Sequence, residues 1–295
     1  MSSRLLVTGA SGKLGRGVIG HLIADQKVAP KDIIAVTRDP AKLADLAAQG
    51  VEVRQGDLSD AGSLAKAFAG ADRVLIVSTD TAPGSGQRIR QHSAAVAAAK
   101  AAGASRVLYT SLPKPDVSVI SFAFEHLGSE KALVESGLAY TIFRNGWYAE
   151  NLFMSLPQAL KSGQWFTSAG DGKLTYAPRD DFAAAIAGGL ASDEPGNRIH
   201  TLTGQQLFTT AEVAALASKI LGKPIAVVQV SDEQLAEGLR RHGLPEPVVA
   251  MIVSIDANTR GGFLDLVTPD IETLSGRKAQ SLQSFLEANK AALLA

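Results

Sequence analysis

Apolar residues in the first half of the chain fall into short unbroken runs. All but the last are followed by a stretch with helical spacing of its apolar positions. The runs lie at 4–7, 33–37, 73–77, 106–110 and 139–143, with Ile33-Ile34-Ala35-Val36-Thr37 the most uniform, and the mixed stretch 51–55 reads as a further strand. Runs of this length suit strands of a parallel sheet covered on both faces. Helices are expected between them at about 14–24, 40–48, 61–68 and 87–102. Five repeats of strand followed by helix predict an α/β fold with a doubly wound parallel sheet.

Beyond Asn151 the pattern changes. Residues 163–166 and 169–173 read as a hairpin-like excursion, and Arg179-Asp180-Asp181 caps a helix of small residues at 182–191. A strand is expected at 199–202, a helix at 210–221 with Glu212 in its first turn, and a strand at 225–230. Helices follow at about 232–242 and 245–254, a short one starts at Pro269, and the last is expected at 282–294. With no repeat and no charge block, this half reads as a lid and substrate lobe.

Composition narrows the function classes. The chain has 295 residues, of which 46% are hydrophobic, enough for a real core, and a formal net charge of zero. Zero net charge argues against a nucleic-acid partner. The absence of cysteine excludes disulfides, thiolate metal sites and a cysteine nucleophile, and no metal is expected. Only Met1, Ser2 and Ser3 precede the first strand, which leaves no room for a signal peptide. No uncharged apolar run is long enough to span a bilayer, so a cytoplasmic location is the expectation.

The chemistry starts at the first turn, Thr8-Gly9-Ala10-Ser11-Gly12-Lys13-Leu14-Gly15. A strand, a tight turn and a helix start in that order make a site for nucleotide phosphates. Gly9 takes the turn, Gly12 lets backbone N–H groups approach a pyrophosphate, and Gly15 lets helix and strand pack closely. Thr8, Ser11, Lys13 and Leu14 complete the expected cofactor-binding turn. Arg38 ends the second strand, where a cation suits the 2′-phosphate of NADP and an acid would suit NAD. The other use of Arg38 is a solvated strand end. At the same sheet edge, Leu58 is placed to pack on an adenine ring. Asp57 either reaches the adenine amine or caps its own turn, and Asp60 caps the next helix. Ser78, opening the loop after the fourth strand, joins the cofactor set. His92, within an alanine-rich helix, is expected near the surface.

The turn is similar to the G-x-x-G-x-x-G of short-chain dehydrogenases/reductases. That likeness implies a helix with tyrosine as proton donor and, one turn later, a lysine holding the nicotinamide ribose. Lys131 is present here, but the residue four earlier is Leu127. Lys131 either holds the ribose or is a surface lysine, and His126, one residue out of register, is a candidate proton donor. Then Asn145-Gly146-Trp147-Tyr148-Ala149-Glu150-Asn151 leaves the sixth strand. Asn145, Trp147 and Tyr148 are the expected acceptor-binding residues, with Asn145 and Tyr148 also catalytic: aromatic walls for a planar ring, amides at the rim. Interdomain packing is the other use of Trp147.

These stretches, with Tyr109-Thr110-Ser111-Leu112, Glu130-Lys131, Ala169-Gly170-Asp171-Gly172-Lys173 and Ser275-Gly276-Arg277, resemble the NmrA-like branch of atypical short-chain dehydrogenases. The likeness is greatest to bacterial NADPH:quinone oxidoreductases, with triphenylmethane-dye reductases as near relatives. It implies a Rossmann domain at 1–145, completed by about 173–203, and a small C-terminal α/β substrate lobe from 146–172 and 204–295. It implies NADPH as cofactor and a quinone-like small molecule as acceptor, and a homodimer is a candidate assembly. Two readings stay open: hydride transfer to a quinone, or a non-catalytic NADP(H)-binding redox sensor. The missing tyrosine suits the first, because a quinone delocalises incoming charge and needs no strong built-in acid.

Overall fold

A computed structural model describes residues 3–82 and 84–295. Pro83, in the loop expected after the fourth strand, lies outside them, as do Met1 and Ser2. The first half alternates as expected: β1 (Leu5–Val7), α1 (Lys13–Ala24), β2 (Ile33–Thr37), α2 (Ala44–Ala48), β3 (Glu52–Gln55) and α3 (Ala61–Phe68). Then come β4 (Arg73–Ile76), α4 (Gln87–Ala101), β5 (Arg106–Ser111), α5 (Ala123–Glu135) and β6 (Ala139–Asn145). The second half holds β7 (Trp147–Tyr148), α6 (Leu156–Ser162), β8 (Gln164–Thr167), β9 (Lys173–Ala177), α7 (Arg179–Ala191) and β10 (Arg198–Leu202). It ends with β11 (Leu207–Thr209), α8 (Thr210–Leu221), β12 (Ala226–Gln229), α9 (Asp232–Arg241), α10 (Glu246–Arg260), α11 (Asp270–Ser275), α12 (Leu282–Ala288) and α13 (Lys290–Leu294).

Seven parallel strands form one sheet in the order β10-β6-β5-β4-β1-β2-β3. The unbroken apolar runs are explained by burial on both sides. Leu5, Val7, Leu75, Leu108 and Phe143 pack under α1 and α7, while Leu6, Ile34, Ile76, Tyr109 and Ile142 pack under α3, α4 and α5. Each such side chain stabilises the fold by about 1.5–3 kcal/mol. Strand order reverses between β1 and β4, which opens the crevice where doubly wound folds bind ligands. Among the described residues no helix is long and apolar enough to cross a membrane.

A second core collects Leu152, Leu156, Tyr176, Val213, Leu264 and Phe285 beneath a three-stranded sheet, β11-β9-β7. The expected hairpin is not there. β8 pairs in parallel with β12, and β9 pairs with β11 and β7. The connecting loop is captured by α10. Thr167 Oγ1 and Ser168 N both donate to Asp256, and Gly172 lies so close to Thr259 that a Cβ would overlap its carbonyl.

β9 pairs with β11 and β7, while α11 packs on α7 and places Ile271 in the first core. The last helix is two, α12 and α13, broken at Asn289, whose Nδ2 donates to Phe285 O at 2.8 Å. α10 runs on to Arg260, past the expected stop at residue 254.

Candidate active site

The glycine turn has the geometry a pyrophosphate needs. Gly9 adopts φ +60°, a left-handed value that favours glycine, and a Cβ on Gly15 would lie 2.5 Å from Gly9 O. Gly12 is the N-cap of α1 and offers no capping side chain, so the first N–H groups of α1 face outward at its positive end. Ser11 and Lys13 are exposed beside them, and Leu14 is half-buried against the core. Thr8 has a different role from the expected one. It is fully buried, and its Oγ1 accepts from Val77 N at 3.0 Å, which ties β1 to the loop after β4.

Arg38 stands exposed directly after β2, its guanidinium without a partner among the described residues. Asp57 serves its own turn: Oδ1 accepts from Ser59 N at 2.8 Å. Asp60 caps α3 through Gly62 N at 2.9 Å, as the sequence predicts. Leu58 is half-buried against the second layer of the core. Ser78 N donates to Thr110 Oγ1 at 2.8 Å, which fixes the start of the loop after β4.

On α5 the register moves the chemistry. Glu125, His126, Ser129, Glu130 and Leu133 form the buried arc, and at 100° per residue Lys131 falls on the opposite, solvent side. Lys131 is exposed, on the side of α5 away from that arc. His126 does face inward. Tyr109 OH lies 2.7 Å from its Nδ1, and burial holds the phenol pKa above its ordinary value. Burial, then the nearby Arg88 and His92, push His126 well below its usual pKa, so the ring is neutral. The phenol and Nδ1 share one hydrogen bond, and Nε2 has no partner among the described residues.

His92 is not at the surface but 1% exposed. Its Nε2 accepts from Thr79 N at 3.1 Å, its Nδ1 lies 2.9 Å from Ser129 Oγ, and burial with Arg88 lowers its pKa to about 3. The sequence did carry a signal, because Arg88, His92, Ala95, Val96 and Ala99 recur on one helical face and are all buried. Tyr109 and Ser111 were also missed. Ser111 is 5% exposed and its Oγ has no partner; the signal was polar residues closing an apolar strand.

Asn145 and Tyr148 come together and Trp147 does not join them. Asn145 Nδ2 donates to Tyr148 OH at 3.0 Å, while its Oδ1 is buried without a partner among the described residues. Tyr148 packs edge-on to Phe182 with 4.8 Å between centroids, beneath the Arg179 guanidinium at 4.9 Å, and burial raises its pKa. Successive residues of a strand point to opposite faces, so Trp147 turns to the lobe core. There it lines a closed slot with Pro113, Gly146, Leu174 and Leu266.

A parallel sheet with a bare glycine turn at its switch point, an unpaired arginine after β2 and a second lobe over the same edge defines a dinucleotide-binding α/β protein. The comparisons agree. The chain is 39% identical over 272 residues to quinone oxidoreductase 2 of Escherichia coli (strain K12), covering 92% of each. The crystal structure of the NADPH-dependent quinone oxidoreductase QOR2 complexed with NADPH, also from Escherichia coli, superposes with a TM-score of 0.91 at 36% identity, covering 96% of this chain and 99% of that one. The Citrobacter sp. triphenylmethane reductase complexed with NADP(H) gives 0.88 at 33% identity over 96% and 99%. The NmrA-like family matches residues 1–286, and the chain belongs to it.

Proposed function

We propose that the protein is an NADPH-dependent oxidoreductase that reduces a quinone or a similar conjugated acceptor. The observation that carries the acceptor side is the Asn145–Tyr148 pair, with a buried, unpartnered amide oxygen at the edge that bears the glycine turn. Relatives of up to 39% identity that are named for quinone and dye reduction support the same reading. Bound NADPH supplies a hydride from C4 of its nicotinamide.

The chain's own residues bind, orient and donate. Outward N–H groups at the start of α1 hold the pyrophosphate, and Arg38 holds the 2′-phosphate. Asn145 fixes the Tyr148 oxygen through Nδ2, which leaves the phenol hydrogen free for an acceptor oxygen. Burial keeps that phenol protonated. In the tautomer with its proton on Nε2, His126 is a second neutral donor, on the α5 side of the same edge. With the hydride the acceptor gains two electrons and one proton, and the second proton follows from solvent. Two hydrogen bonds suffice because a quinone spreads the developing charge over both oxygens.

The test is NADPH oxidation with a panel of quinones and dyes, beside the NADPH dissociation constant. Tyr148→Phe should lower quinone turnover about tenfold while leaving NADPH binding unchanged. Tight NADPH binding without turnover of any acceptor would favour the redox-sensor reading.

A further inference from the structure

Two buried charges take no part in the chemistry above. Arg88 of α4 and Glu125 of α5 pair at 2.9 Å with side chains only 7% and 0% exposed. Such burial is costly unless every remaining donor and acceptor is satisfied. Here most of the remaining bonds go to one segment. Arg88 Nε donates to Thr79 O at 3.0 Å, and Glu125 Oε1 accepts from Gly86 N at 3.0 Å. His92 accepts from Thr79 N, so both main-chain groups of Thr79 are held by α4. Ser129 closes the ring, within reach of His92 Nδ1 and donating to Glu125 O at 2.7 Å. The guanidinium lies over the Phe122 ring, 5.3 Å from its centroid.

We propose that Arg88, Glu125 and His92 are positioning residues that set the segment Ser78–Thr81 and the Gly86 start of α4 as the binding wall for the nicotinamide-side ribose of the cofactor. The inference rests on the cofactor reading above. Its basis is topological. β4 borders β1 where the strand order reverses, so the loop after β4 faces the glycine turn across the crevice. Arg38 stands on the other side, after β2, which leaves the β4 side for the nicotinamide half. Within it, Thr81 Oγ1 is buried with no partner among the described residues, as a group reserved for a ribose hydroxyl would be. The clasp holds Thr79 at one end and Gly86 at the other, so these two positions are pre-organised rather than ordered on binding.

The experiment compares NADPH with 2′,5′-ADP, which carries the adenine half alone, by calorimetric titration. The double variant Arg88→Met/Glu125→Leu removes both charges together, which avoids leaving one buried unpaired. NADPH should bind about tenfold or more weakly, and 2′,5′-ADP should stay within about twofold of its original affinity. Unchanged NADPH affinity overturns the proposal. A parallel loss for both ligands overturns it too, because it would mean general damage to the fold. His92→Phe, which takes only the Thr79 N–H partner, should show the same split and keeps the test decisive if the double variant does not fold. In the unmutated protein, NADPH should slow amide exchange at Thr79 and Gly86 and 2′,5′-ADP should not; equal slowing by both would count against the clasp. Failure of the unmutated protein to bind 2′,5′-ADP at all would instead overturn the cofactor reading, and the clasp's role with it.

Discussion

At the scale of residues, the charges that matter are separated by whether they have partners. Arg38 is exposed and, among the described residues, unpaired after β2, whereas Arg16, one turn into α1, is already committed to Asp45 at 2.6 Å. Arg38→Glu should therefore erase or invert a preference for NADPH over NADH, a change of about tenfold or more in relative affinity. Equal affinities in the unmutated protein would remove the role assigned to it. His92 makes the fold sensitive to acid. Its pKa falls from 6.5 to about 3 on burial, so between those values the unfolded chain binds a proton that the folded one does not. Its contribution is complete above 6.5 and is lost as pH falls toward 3, with a slope of at most about 1.4 kcal/mol per pH unit. Urea unfolding at pH 7 and pH 5 should show a smaller acid-induced loss for His92→Gln than for the unmutated protein. Identical losses would show that His92 does not contribute.

At the scale of elements, helix contacts depend on glycines in a way that position alone does not reveal. Gly188 lies in α7 where α11 crosses it, and a Cβ there would overlap the Leu274 carbonyl. Gly188→Ala should push α11 off the first core and cost about 1–3 kcal/mol or more. Gly20, in α1, has nothing within 4 Å of its would-be Cβ. Gly20→Ala should stabilise by about 0.5–1 kcal/mol, since only the helix propensity of alanine is at stake. Melting temperatures moving in opposite directions would confirm the contrast. The α8 start was legible in advance because its bonds are local: Thr209 and Glu212 form a reciprocal capping box. The β8–β12 pairing was not, because a parallel partner some sixty residues away leaves no mark on either strand.

At the scale of the whole molecule, β7 is the seam. One residue of it, Tyr148, packs into the core of the large sheet, and its neighbour Trp147 packs into the lobe. Trp147→Ala should raise the KM for a bulky quinone and leave the NADPH dissociation constant unchanged, because the residues proposed to hold the dinucleotide all border the large sheet. A matching loss of NADPH affinity would mean that the seam supports the whole cleft and not the acceptor side alone.

The amino-acid order by itself determined what rests on local interactions. It specified the alternation of strand and helix, the bare glycine turn, the arginine after β2 and the capping of α3 and α8, each written in period, propensity or a side chain reaching its own backbone. Tertiary packing alone decided which face of a helix is inside and where a polar group's last bond goes. Lys131 and His126 are five residues apart on one helix, yet one faces water and the other meets Tyr109, because the face that β5 covers is set by the sheet. Thr8 looks like a cofactor ligand until Val77 takes its hydroxyl, and His92 looks like a surface residue until α5 closes over it. Those outcomes depend on partners distant in the chain, which local sequence does not encode.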